Sequence, residues 1–254
     1  MRRLALILAA CWALGTGTGA ATAAEDVVLG LSQSQVQITT NFNGSEILVY
    51  GAVKRETPIP ETALDVIVTV AGPFEPVMVH RKARVAGIWV NAESVLVDRA
   101  PSFYAIASSG PLDEVLSHTE DLRQAITTPR AIRSVGAMAE DPAAFTNALI
   151  RIRREAGIYA TFENSVDVVQ QTLFSTSIAL PANLVEGGHL VRVFLLRNKQ
   201  VVTQFDTVIE VRKVGLERWL YALAQDQALA YGILSLILAA GAGWGASAAF
   251  RLLR

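Results

Sequence analysis

The sequence predicts a mainly β protein with a helical middle segment, an α+β chain of immunoglobulin-like sandwich portions followed by one C-terminal transmembrane helix. Three observations predict it. Short apolar runs broken by turn residues fill Val27 to Ser108 and return after Tyr159; a capped helical pattern separates them; and Ala228 to Phe250 is a run of 23 residues without a charge. The hydrophobic share of 52% and mean hydropathy of +0.36 exceed what one soluble core needs, so part of the chain belongs in lipid.

Residues 1–24 read as a secretory signal. Arg2 and Arg3 precede an apolar stretch from Leu4 to Leu14, and Ala21-Thr22-Ala23-Ala24 stands before the acidic pair Glu25-Asp26. Those 11 apolar residues are too few to cross about 30 Å of hydrocarbon as a helix, which favours cleavage after Ala23 or Ala24. A competing reading takes Leu8-Ala9-Ala10-Cys11 as a lipobox with the lipid on Cys11, but the apolar run continues past it. Cys11 is the only cysteine, so without the signal the chain has no thiol for a disulfide, a metal or a nucleophile. Its net charge is then −3, which is no footprint for nucleic acid.

The first β-rich portion spans residues 25–110. Gln35–Thr40 and Glu46–Val53 flank Asn43-Gly44, a dipeptide that predicts a hairpin. Leu64, Val66, Val68 and Val70 alternate with Asp65, Ile67, Thr69 and Ala71, a pattern for a strand buried on one face and partly on the other. Pro76–Val85, Gly87–Val90, Ser94–Val97 and Phe103–Ser108 follow as further strands, a spacing that suggests a sandwich.

Residues 111–160 form the helical segment. Leu112–Ile126 is weakly helical, and Asp141-Pro142 caps a stronger helix carrying Phe145, Leu149 and Ile152 and ending before Gly157. Residues 161–213 return to strands at Leu173–Leu180, His189–Arg197 and Val201–Lys213, with turns at Glu186-Gly187-Gly188 and Asn198-Lys199. These strands either complete the first sandwich or build a second; two packed β portions joined by the helical segment is the expectation. Over residues 214–227, Leu216, Trp219, Leu220 and Leu223 make the apolar stripe of an interfacial helix.

The span at residues 228–250 is long enough to cross a bilayer with modest tilt. Arg251 and Arg254, in the tail at 251–254, agree with a cytoplasmic C-terminus, and Trp219, Tyr221 and Tyr231 suit the outer interface. The expected location is therefore the inner membrane, crossed once, with the bulk of the chain in the periplasm. Gly241 and Gly245 form a GxxxG pair in the small-residue half of the span, a surface that lets a second helix approach closely, from a membrane partner or a second copy.

Chemistry is sparse in this sequence. His80, His118 and His189 show no metal-ligand spacing and read as surface or turn residues; no catalytic motif or phosphate loop is found; no metal or cofactor is expected. Carboxylates are numerous but not paired in any recognisable way, so nothing local argues for an enzyme, although catalytic groups can converge from distant strands. One local feature points to binding. On the strand Pro76–Val85, alternation puts His80, Lys82 and Arg84 on one face, a row that suits a small anion or simply a solvated, charge-guarded face. Arg151, Arg153 and Arg154 are accounted for by the dipole at a helix C-terminus, and Trp89 is expected in the core.

Phe42-Asn43-Gly44-Ser45 with Gly51-Ala52, Asp65-Val66-Ile67-Val68, Lys82 with Gly87-Ile88-Trp89-Val90-Asn91, Pro101-Ser102-Phe103-Tyr104, and Tyr231-Gly232 with Gly243-Trp244 are short motifs spread along most of the chain. On these motifs the chain resembles the alphaproteobacterial family of single-span transmembrane envelope proteins. The resemblance implies a periplasmic domain with one anchor, brings no site residues, and suggests a transporter in the inner membrane as a partner. The function expected is that of a binding or accessory module for such a partner; a small-anion binding protein is the alternative, and a hydrolase whose groups converge from distant strands is a further one.

Overall fold

A strand with apolar residues at every second position buries one face, whereas a strand that is apolar throughout needs cover on both. The computed structural model, which describes residues 25–39, 42–56, 58–133, 141–214 and 216–252, contains both kinds. In chain order come β1 (Asp26–Leu31), β2 (Gln35–Ile38), β3 (Ser45–Lys54), β4 (Asp65–Ala71), β5 (Phe74–Val85), β6 (Ile88–Pro101) and β7 (Tyr104–Ser108). Four helices follow: α1 (Leu112–Val115), α2 (His118–Gln124), α3 (Thr128–Ala131) and α4 (Pro142–Glu155). Then come β8 (Tyr159–Phe162), β9 (Asp167–Val169), β10 (Leu173–Leu180), β11 (Gly187–Arg197) and β12 (Gln200–Lys213), and finally α5 (Leu216–Asp226) and α6 (Ala228–Leu252). The signal expected over residues 1–24 lies outside the described residues.

One sheet has the order β1-β3-β10-β9 and is antiparallel throughout. The other has the order β2-β12-β11-β4-β7-β8, with parallel pairs only at β12–β2 and β7–β8. The first order is the A-B-E-D arrangement of an immunoglobulin-like sandwich, and β12-β11-β4-β7 supplies the facing G-F-C-C′ strands. Val27, Ile47, Val49, Phe174 and Ile178 from the first sheet meet Val66, Val68, Val193, Leu195 and Ile209 from the second in a closed core. The outer face of the second sheet is covered too: Ile67, Tyr104, Ile106 and Phe194 pack against Ile126, Phe145 and Leu149 of the helical layer. That double cover explains why β4 is apolar on both faces.

The strands after Tyr159 complete the first sandwich and do not build a second, because β10 pairs with β3 and β11 with β4. Each sheet therefore draws strands from both β stretches. A second expectation also gives way. β2 and β3 flank Asn43-Gly44 but do not pair; β2 joins the second sheet beside β12 and β3 the first. The turn crosses between sheets, and Gly44 is required there by a φ of +109° and by the Leu180 carbonyl oxygen, 2.7 Å from where a Cβ would sit.

The helical layer follows the local signals closely. Asp141 accepts from the Ala144 N–H at 3.0 Å, Pro142 opens α4, and Gly157 takes a φ of +70° beyond its end. Leu112–Ile126 is broken in two by Ser117, whose hydroxyl caps α2 by accepting from Glu120 N–H.

His189 departs from expectation. It is 1% exposed, not a surface residue, with Nδ1 at 3.1 Å from the Gly187 carbonyl and Nε2 without a hydrogen-bond partner among the described residues. Burial pushes its pKa below the ordinary 6.5, partly offset by the Gly187 carbonyl. The unfolded chain therefore takes up a proton that the folded one refuses: stability is full above 6.5 and falls as the pH drops from there towards the folded value. Urea midpoints measured between about pH 5 and 7 are expected to show this decline, and His189→Gln to remove it.

Candidate functional site

β5 and β6 form a long arm that continues the β4–β7 ladder. β5 and β6 form their own two-stranded sheet, but Gly72 N–H donates to Phe103 O and Ser102 N–H to Pro73 O, both at 2.8 Å, so backbone hydrogen bonds bridge the bend between the two ladders. The bend needs Gly72, since a Cβ there would meet Ser102 Oγ at 2.5 Å. The two predicted pieces Gly87–Val90 and Ser94–Val97 are one strand, and Ala86-Gly87, both with positive φ, make the turn. Val79, Val95 and Val97 anchor the base of the arm in the helical core. Its tip is uncovered, and Trp89, expected in the core, is 69% exposed because no sheet or helix covers the arm there.

The predicted anion row lies on this arm. His80 Nδ1 is 2.6 Å from Ser94 Oγ, Arg81 pairs with Glu93 and lies 5.7 Å from the Phe145 ring centre. A bulge at Arg81/Lys82, with Ala92 the extra residue of β6, twists the strands between them. His80 and Lys82 line a groove of about 230 Å³ together with Arg81 and, from α4, Arg151. Arg84 does not join them: its Nε donates to the Gly87 carbonyl at 3.3 Å, folding it onto the turn.

The outward face of the first sheet is a different surface. Register places Val28, Ala52, Leu173 and Val169 side by side across β1, β3, β10 and β9. Val28 is 60% exposed, and Tyr50, Leu173 and Val169 are exposed around it. The row borders a shallow cavity of about 590 Å³. Tyr50 lies flat across Gly30, its cross-strand partner, where a Cβ would come within 2.5 Å of the ring. The strand pattern made these positions outward, but their apolar character across four strands is visible only once the strand order is known.

A cavity of about 310 Å³ was not foreseen. Arg99, Arg123, Arg130, Arg133 and Arg192 line it, from β6, α2, α3, the residues after α3, and β11. The Arg123–Arg133 stretch, with three arginines, is the one local signal that could have pointed to it. Beneath it Tyr104 OH donates to Ile126 O at 2.7 Å; burial raises its pKa, against the pull of the Arg192 charge. Among the described residues no group of three or more His, Cys, Asp or Glu side chains is placed to hold a metal ion.

α6 carries the predicted span. Ala228–Ser247 is long and apolar enough to cross a membrane, and none of it is buried against the rest of the protein. Gly241 and Gly245 lie one turn apart with open space where a Cβ would be. Tyr221 and Tyr231 are exposed, while the side chain of Trp219 lies outside the described residues.

No curated protein matches the chain. A family model does, that of the "Putative transmembrane protein" family (Alph_Pro_TM), over residues 26–252, which takes in both β stretches, the helical layer and the span. The chain belongs to this family of transmembrane proteins, and its described residues form a β-sandwich with one candidate membrane helix at the C-terminal end.

Proposed function

We propose that the protein is a binding module of the periplasm, tethered to the inner membrane, that supports an integral membrane partner such as a transporter. The observation that carries this reading is the apolar row Val28, Ala52, Leu173 and Val169 on the outward face of the first sheet. A contiguous exposed apolar surface on a soluble face costs solvation free energy and is retained where a partner covers it. The exposed helix α6, with Gly241 and Gly245 on one side, offers a second contact within the bilayer.

A photo-crosslinking residue placed at Leu173 in cells is expected to capture one integral inner-membrane protein. Val28→Glu with Leu173→Glu is expected to cut that yield at least about tenfold without unfolding the domain, since both side chains are exposed. Gly241→Leu with Gly245→Leu is expected to weaken co-purification in mild detergent. Capture of soluble proteins alone, or a yield indifferent to both double variants, would sink the reading.

A further inference from the structure

Five arginines line the cavity beside β11, and the carboxylates near them do not balance the charge. Glu120 Oε1 is 2.7 Å from Arg123, and Asp121 Oδ2 is 3.9 Å from Arg130. Asp121 is otherwise occupied, because its oxygens accept from Ile126 N–H, Thr127 N–H and the Thr127 hydroxyl. Arg99, Arg133 and Arg192 have no carboxylate partner among the described residues.

These three are presented in different ways. Arg192 is fixed: it donates to Gln124 O at 2.8 Å and to Ala125 O at 3.1 Å, capping the C-terminal end of α2, and its Nε has no partner among the described residues. Arg99 lies 4.0 Å from the centre of the Phe74 ring, a stacking that holds the guanidinium plane while leaving its N–H edge free. Arg133 is exposed at the rim, held to β6 by paired backbone hydrogen bonds between Arg99 and Arg133 at 2.9 and 3.2 Å. Like charges that line one cavity repel one another, and an anion between them relieves the repulsion.

We infer that the cavity lined by Arg99, Arg123, Arg130, Arg133 and Arg192 is a binding site for a phosphate- or sulfate-class oxyanion. Planar guanidinium forks match the paired oxygens of such a group, which a cluster of lysines would meet only as point charges. The source of the oxyanion is either a solute or a lipid headgroup. Leu190 and Ala71, on the cavity wall, pair near Val208, towards the end of the sheet where β12 leads on to α5 and α6. The site thus sits towards the anchor end of the sandwich.

The test uses the full chain in neutral detergent, titrated in a calorimeter with inorganic phosphate, with sulfate, and separately with short-chain phosphatidylglycerol. Saturable binding is expected, weakened about tenfold or more by Arg99→Gln and by Arg133→Gln, and unchanged by Lys82→Gln in the hairpin groove. Binding of inorganic anion identifies a solute site; binding of phosphatidylglycerol alone identifies a headgroup site. No saturation by any of the three at millimolar concentration overturns the inference, as does binding indifferent to both arginine variants. Arg133 has an exposed side chain with no side-chain partner among the described residues, so its variant carries the test even where Arg99→Gln fails to fold.

Discussion

Glu25→Ala is expected to cost about 3–5 kcal/mol of folding free energy, the usual consequence of removing one member of a buried ion pair. Glu25 stands just before β1, Arg55 just after β3 and Arg197 at the end of β11, so this cluster ties the first sheet to the second at one end of the sandwich. Arg55 Nε donates to Oε1 at 2.6 Å, and Arg197 donates to both oxygens at 2.9 and 3.2 Å. The Glu25 side chain is only 5% exposed. Both arginines also donate to carbonyls, Arg55 to Gln171 and Arg197 to Thr62. Without the carboxylate, two buried cations would remain with only neutral partners, these carbonyls and the side chains of Thr62, Gln171 and Thr172, to offset them.

Two further measurements separate charge from packing at this site. Replacing the cluster as a whole, with Glu25→Leu, Arg55→Met and Arg197→Met, is expected to lose less stability than Glu25→Ala alone, because no uncompensated charge is left. Burial works to raise the Glu25 pKa, but the hydrogen bonds and charges of Arg197 and Arg55 outweigh it and hold the carboxyl below its ordinary 4.5. Its contribution is therefore complete above 4.5 and is lost as the pH falls below that value through the folded pKa. Denaturant unfolding of the full chain in detergent, followed down the acid range, should show a fall in stability that Glu25→Ala lacks.

Gly51→Ala is expected to cost about 2–3 kcal/mol, near the upper end for overpacking a closed core. Gly51 sits directly opposite Phe174 on the inward face, and a Cβ would lie 2.5 Å from the ring and 2.9 Å from the Val28 carbonyl oxygen. The ring is 2% exposed and hemmed in by the facing sheet, while the carbonyl belongs to the neighbouring strand, so neither yields cheaply. Phe174→Leu alone opens a cavity. Combining it with Gly51→Ala is expected to recover at least about 1 kcal/mol relative to the sum of the two single losses, since each change fills what the other disturbs. Strictly additive losses in urea unfolding would show that the glycine serves the backbone and not the ring.

Much of the local architecture could be read from residue order. Asp141-Pro142 marked α4 because a cap and its first turn are neighbours in sequence, and Val66, Val68 and Val70 marked β4 because alternation is a property of one strand. The misreadings share a cause. Asn43-Gly44 suggests a hairpin whatever its flanking strands pair with, and Trp89 looks like a core residue whatever lies above it. The arginine cavity draws on residues from 99 to 192, too far apart for any spacing rule.

Amphipathic period, caps and an uncharged run are written within a few turns of chain, and so the β character, the helical middle and the membrane helix followed from residue order alone. Which strand lies beside which, and so which side chains from remote positions face a common space, depends on burying two sheets against each other at once. That requirement placed β10 beside β3 and β11 beside β4, laid the apolar row across four strands, and gathered five arginines around one cavity. Burial is a collective quantity, satisfied by the whole sandwich and by no segment of it.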